Sequence, residues 1–469
     1  MTSVVVDRGS RRETITVPDD ALVLEYVEQP PAGDPHVLIE RALDAPSGLP
    51  PLEALVRARP AGGRRRRIVI AFDDPNRPAV TMRTILPAVI RRLEAAGVDD
   101  GEITLVSANG MHPKFSAESL HAYLGAEVVK RFGERIVNHD CEDREALVDV
   151  GRTAFGDVVE VNRAAVESDL LIYVGNVATN IWGGYSGSGI VVGLGGTHAV
   201  AGHHGRDAIG HPDSCHGEPR TMLYQRRKWA VHEAMERARG GAAFYVEAMT
   251  DARGMIDVFA GRAEEIRPRA WAEADRRLVR RASEVDVLVV GLAPAFLYGP
   301  AANPLIALTG VAFPPRLWLG APLLRRGGVV IGVTDSAGVV DPATHPGYRE
   351  AIHEFGRARS FEALAGAAKG VGGDPALIAR YRAGGAYHPY HPFWLFNEDE
   401  YAMTTAGRII MAGATPGEHW DHLGCAVTPD FATAWSQAVD LVGPLPRVLV
   451  LPTYWSKPRI KFQVDGVRL

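Results

Sequence analysis

Residues 68–78 read Ile-Val-Ile-Ala-Phe-Asp-Asp-Pro-Asn-Arg-Pro. Five apolar residues in succession, bounded by a turn-forming cluster, predict a strand buried on both faces, as in a parallel sheet. The basic run Arg64 to Arg67 just before it reads as a charged strand entry. Residues 82–96 then repeat apolar side chains at helical spacing and stop at Gly97, a natural C-cap. A second apolar run, 103–106, leads into Ser107-Ala108-Asn109-Gly110-Met111-His112-Pro113, and Ser116 opens another helix. A third run, 170–174, ends at Gly175. Strand, helix and strand in this rhythm predict βαβ units. Ligands of such sheets sit beyond the carboxyl ends of the strands, so the loops from Asp73, Ser107 and Gly175 should converge.

The chain has 469 residues, enough for two or three domains. After a charged helix at 262–281, apolar runs at 287–290 and 329–333 predict a second, smaller parallel sheet. The expected fold class is thus α/β, with two α/β domains, parallel-rich sheets and an active-site cleft between them. The expected division is 1–270 and 271–434. Residues 448–451 form one more strand able to join either sheet, so the segment from about 435 to 469 is a candidate to rejoin the first domain. Residues 382–394 (RAGGAYHPYHPFW) read as an ordered loop or insertion.

Composition narrows the function classes. Hydrophobic residues make up 46% and charged residues 23%, which is ordinary for a globular protein. A net charge of -5 excludes the basic footprint of a nucleic-acid binder. Three distant cysteines exclude a disulfide framework and fit a reducing compartment. The first twenty residues lack an apolar signal-like core. Residues 170–205 and 287–315 carry no Asp, Glu, Lys or Arg, but glycines, histidines and prolines make neither a membrane span. A soluble, cytoplasmic, enzyme-sized protein is expected, acting on a small molecule without nucleic acid or membrane.

Three motifs can carry chemistry. Asp74 and Arg77 follow the first strand; Arg presents a planar fork for a carboxylate or phosphate, and the same residues also make an ordinary Asx turn. His112 follows the second strand, where an imidazole suits general acid–base work. The third stretch runs Gly183-Gly184-Tyr185-Ser186-Gly187-Ser188-Gly189, then Gly193-Leu194-Gly195-Gly196-Thr197-His198 and His203-His204. Its glycines suit close approach to a phosphate, yet the spacing is not a dinucleotide fingerprint. His198, His203, His204, His211, Cys215 and His216 form a set of borderline-soft metal ligands or an exposed His-rich loop. His388/His391 and His419/His422 read as structural or peripheral.

Together these motifs resemble the nickel-dependent lactate racemase family, as a divergent member. Asp74 to Pro78 is similar to that family's D-x-T-R-P motif, with Asn76 in place of Thr. Gly110-Met111-His112 resembles its G-x-H loop, Gly184-Tyr185-Ser186-Gly187 its G-[YF]-S-G-G-x-K stretch, and Val258-Phe259-Ala260-Gly261 its V-x-A-G-D segment. The resemblance implies two α/β domains around a nickel-pincer nucleotide. Hydride leaves C2 of a 2-hydroxy acid and returns to either face, while histidines move the hydroxyl proton. It implies His112 and Arg77 as catalytic residues. It implies Asp74, Arg77, Tyr185, Ser186, Gly187, Ser188 and Gly189 around the cofactor, with His204 or His203 on the metal.

The sequence departs from the pattern at chosen points. The cofactor-carrying lysine falls at Ile190, so the cofactor would be held without a covalent bond. The second catalytic histidine falls at Asn180, with Tyr185 and His198 as substitutes for its proton transfer. Tyr298, Trp318 and Trp394 are candidates to stack on a substrate bulkier than lactate. The expected function is a 2-hydroxy-acid racemase or epimerase, an isomerase. The alternatives are a binding protein that kept the fold, or a zinc or iron enzyme using the His203–His216 cluster.

Overall fold

The computed structural model describes residues 1–58, 64–74, 76–180, 184–185 and 189–465. Its first sheet runs, in spatial order, Gly254–Gly261, Phe244–Asp251, Leu170–Asn176, Ile68–Asp73, Ile103–Ala108, Ile136–Asn138. All neighbours are parallel except the first pair, which is antiparallel. The register aligns Asp73 with Ala108 and Phe72 with Val174. The three strands therefore end level, and the loops that follow them meet over one edge.

Alternation explains why these runs are apolar throughout. Ile68, Ile70 and Phe72 face the helix Ala79–Ala95, which begins one turn earlier than its apolar pattern indicates. Val69 and Ala71 face the opposite core. That core continues into the second sheet through Leu288, Val290, Val330 and Leu449. The halves thus share one apolar interior.

The second sheet runs Ala426–Thr428, Arg408–Ala412, Leu324–Val333, Val285–Gly291, Val448–Leu451, Leu22–Val23. Every neighbouring pair is parallel. Val448–Leu451 therefore lies inside the second sheet, not the first, and the chain's N-terminal region supplies its edge strand. The hairpin Thr2–Arg8 with Arg11–Val17 packs on this sheet as well, through Val4, Val6, Ile15 and Val17. Strand Lys461–Val464 joins a separate three-stranded sheet between Val279–Ala282 and Trp318–Gly320. In the second charge-free stretch the helix Pro304–Ala312 is buried at every residue. No helix among the described residues is long and apolar enough to cross a membrane.

Residues 382–394 are not a plain loop. The helix His391–Thr405 starts inside them, and it is buried from His391 through Asp399. Apolar residues on every face of that helix hide the helical period from the sequence.

The strand-end loop that bears His112 is held by a close backbone approach. Gly110 N–H donates to Gly193 O at 2.8 Å. A Cβ on Gly193 would stand 2.2 Å from Ala108 O. Gly193→Ala must therefore push the helix Gly189–Gly193 off the strand. We expect a loss of about 1–3 kcal/mol, as for overpacking a core. A lower urea midpoint with unchanged slope checks this; an unshifted midpoint contradicts it.

Candidate functional site

The loop after Ile68–Asp73 closes as a turn, with Asn76 N–H donating to Asp74 Oδ1 (2.8 Å) and Arg77 N–H to Asp74 O (3.1 Å). It turns the Arg77 guanidinium back toward the strand end, with Nε 3.8 Å from Asp73 Oδ2. Burial disfavours the Arg77 cation, but Asp74 and Asp73 more than offset this and raise its pKa. Burial pushes the Asp73 carboxyl up, against the nearby Arg77 charge. Burial also works against the Asp74 carboxylate, yet His112 and Arg77 hold it below its usual range. Asp74 is thus the ionised partner.

His112 joins this pair. Its Nδ1 lies 3.4 Å from Asp74 Oδ2 and 3.2 Å from Asn76 Nδ2. Side chains of the second half surround the ring: Tyr387 at 5.5 Å, Tyr298 at 5.6 Å, His391 at 5.3 Å and Trp394 at 6.1 Å between centroids. Tyr381 OH donates to Gly110 O (2.8 Å), and His388 N–H donates to Met111 O (2.9 Å), so the second half clasps the histidine loop. His391, read from sequence as peripheral, is therefore in the shell of His112, while His388 holds the loop's backbone. Leu297, beside Tyr298, has φ 29°, an uncommon conformation for a branched side chain.

A cavity of about 110 Å³ lies where these loops meet, and its wall gathers most of the expected residues. Asp74, Arg77, His112, Asn180, Tyr185, Gly189 and His204 all line it. His203 does not; it is fully buried behind His204, with the two Nδ1 atoms 2.6 Å apart. Tyr224 OH lies 2.9 Å from His204 Nε2, and the Trp394 ring stands 4.0 Å from the His204 ring. Burial pushes the pKa of His204 well down, so it remains a neutral imidazole. Ser186, Gly187 and Ser188 lie outside the described residues.

Several expectations need correcting. The His198–His216 set does not assemble: His198 is largely exposed beside Glu160, and His211 is exposed beside Asp213. Cys215 Sγ faces the carbonyl of His211, and among the described residues no group of three ligand atoms forms there. The tight sequence spacing is spent on short helical turns that point these side chains apart. Tyr185 OH donates to Asp275, and Trp318 pairs with Tyr401 away from the cavity. Tyr298 and Trp394 do line it.

Two cations of the cavity wall escaped the sequence reading. Lys228 projects from the helix Leu223–Arg239, and Arg459 from the C-terminal segment. Arg459 donates to Thr179 O at 2.7 and 3.1 Å. Burial, then the charges of Arg267 and Arg77, push the Lys228 amine down to about 7. Burial and the Arg77 charge lower Arg459 to about 10. Lys228 sits in the charged run Gln225-Arg226-Arg227-Lys228, where no signal separates it from surface lysines. A second chamber of about 460 Å³ adjoins the first, sharing Arg77, Asn176, Ala178, Thr179 and Arg459, and adds Arg12 and Lys457.

The geometry defines an α/β protein that brings a strand-end histidine, a half-buried arginine and a neutral imidazole to one cavity. A model of the lactate racemase N-terminal domain matches residues 9–217. That stretch of the chain is thus similar to the lactate racemase N-terminal domain. It is 29% identical to the lactate racemase of Lactiplantibacillus plantarum over 228 residues, 48% of this chain and 50% of the relative. It is 24% identical to that of Thermoanaerobacterium thermosaccharolyticum over 276 residues, 56% of this chain and 60% of the relative. The chain thus spans about half the length of the curated relatives it matches. The lactate racemase apoprotein structure from T. thermosaccharolyticum superposes with a TM-score of 0.71 at 17% identity, covering 99% of this chain and 100% of the other. A Thermotoga maritima crystal structure gives 0.55 at 16% identity, over 90% of this chain and 100% of the other. Both likenesses show the fold.

Lys228 makes a stability prediction with a definite sign. Unfolded, its amine stays protonated up to about 10.5; folded, only up to about 7. The unfolded state therefore binds more protons between these values, and stability rises with pH across them. The cost is fully present below pH 7. Lys228→Met should melt higher than the parent at pH 6, and the gap should narrow toward pH 10. Parallel curves over that range would contradict the assignment.

Proposed function

We propose that this protein is an isomerase, a racemase or epimerase of a small 2-hydroxy acid, working with a nickel-pincer nucleotide held without a covalent bond. The observation that carries the reading is the meeting of Arg77, Asp74, His112, Asn180 and His204 on one cavity. The residues present fit the cofactor. His204 offers a buried neutral imidazole, the form that ligates a metal, once the metal displaces Tyr224 OH from its Nε2. The adjoining chamber carries Arg12, Lys457 and Arg459 beside Glu28 and Asp251, with Lys457 paired to Glu25, so a phosphate there would rely chiefly on Arg459 and Arg77. Ile190 is fully buried and apolar, which leaves no amine for a covalent link at that position.

When bound, the group supplies the acceptor and donor of the C2 hydride. The chain does the rest. Arg77 binds the substrate carboxylate, in competition with its own carboxylates, which keeps it oriented. His112 takes the hydroxyl proton at its ring nitrogen remote from Asp74, whose charge favours the imidazolium that forms. Asn180 holds the substrate oxygen by a hydrogen bond but cannot move a proton at neutral pH. Racemisation needs a proton-transfer group for each enantiomer. We assign the second role to Lys228 rather than to His198, which is exposed, or Tyr185, which is engaged by Asp275. An amine pushed down to about 7 is matched to that task. Tyr298 and Trp394 supply an apolar, water-excluding wall for the substrate's side chain.

The test starts with protein made in a host that synthesises the cofactor. After dialysis against a chelator, which strips ions held only by exposed side chains, elemental analysis should give about one nickel per chain, as one cofactor per site requires. The denatured mass should be unmodified. A chiral assay over 2-hydroxy acids should then find interconversion. His112→Ala and Lys228→Met should each lower it by about 10²–10⁴-fold, the usual worth of a general acid–base group, while keeping the nickel. Nickel-free protein without turnover would overturn the reading. Full activity in Lys228→Met would remove that residue's role alone.

A further inference from the structure

The histidines at 353, 419 and 422 lie in the second half, and none lines the cavity described above. His353 is on the helix Tyr348–Ala358; His419 and His422 are on Glu418–Leu423. Three residues apart, the latter two share one helix face. One ring nitrogen from each of the three lies within 4.8 Å of the others. The His353 ring is 4.7 Å from that of His422 and 5.8 Å from that of His419.

The surroundings hold this arrangement in place. Gly356, one turn beyond His353, leaves room for the His422 ring; a Cβ there would stand 2.5 Å from it. Arg359 donates to the carbonyls of His422 and Asp421, latching the two helices. The Nδ1 atoms of His419 and His422 are buried and make no hydrogen bond. Two such orphaned groups cost free energy unless something accepts or donates to them. Glu418 Oε1 lies 3.9 Å from His353 Nε2, close enough to add an oxygen ligand.

We propose that His353, His419 and His422 form a second metal site, separate from the candidate active site, for a borderline divalent cation such as zinc(II) or nickel(II). Imidazole nitrogens suit these ions over magnesium or calcium. Zinc bonds of about 2.0–2.1 Å need nitrogens about 3.3 Å apart in a tetrahedron, so the cluster must close slightly. His353, whose side chain is 45% exposed, has the freedom to do so. Glu418 or water completes the set. The bound ion would clamp the two helices together.

A different cluster argues the other way. Cys141, Glu142 and His388 also bring three donor atoms together. There, however, His388 Nδ1 accepts from Tyr390 N–H, so Nε2 carries the proton and donates to Glu142. That nitrogen has no lone pair for a metal.

The experiment uses chelator-treated, full-length protein made without the pincer cofactor. Zinc(II) is titrated by calorimetry, and cobalt(II) is followed by its visible absorption. The parent should bind a zinc equivalent with Kd of about 1 µM or tighter. His353→Gln and His419→Gln should each lose that equivalent and the cobalt spectrum; His204→Gln should keep both. Zinc should raise the melting temperature of the parent and of His204→Gln, but not of the other two. Because His353 is exposed, its variant tests the site without threatening the fold. Retention of the equivalent in His353→Gln, its loss in His204→Gln, or binding only near 1 mM would overturn the proposal.

Discussion

Arg77 is a half-buried cation, and a cation partly taken out of water must be answered by nearby charge. Two adjacent carboxylates answer it, but two carboxylates side by side cannot both ionise freely. Asp73, at the strand end, is pushed toward its neutral form. Asp74 stays charged and faces His112. The order of the residues after the first strand thus fixes which carboxylate orients the imidazole. The rest of the site is arranged around that choice.

The second half then closes what the first half leaves open. Rings of Tyr298, Tyr387, His391 and Trp394 enclose His112, and Tyr381 and His388 bind its loop by the backbone. The apolar interior common to both sheets resists a rigid separation of the halves.

Much of the first sheet was legible because parallel strands buried on both faces are continuous apolar runs. Their shared ends follow from that, and so did the meeting of Arg77 with His112. What the sequence hid was hidden for physical reasons. Lys228 is a buried lysine inside a charged helix, and burial is decided by tertiary packing. Arg459 reaches the cavity only because the C-terminal segment crosses between the halves. The helix from His391 is buried all round and so carries no amphipathic stripe. The histidines from 198 to 216 are close in sequence but are turned apart by short helices, whereas His353 meets His419 and His422 across more than sixty residues.

The position of Val448–Leu451 has a consequence for assembly. This strand lies between Val285–Gly291 and Leu22–Val23, so among the described residues the edge strand Leu22–Val23 pairs with one more than four hundred residues further along. On the ribosome, residues 22–23 must wait unpaired while more than four hundred residues are made. The first sheet, built wholly from residues 68–261, can form long before that. Arg459 arrives with the same late segment, so one wall of the cavity is the last part of the site to be built. Early and late folding units therefore divide differently from the order of residues along the chain, and the closing event is a long-range contact with a high loop-closure cost.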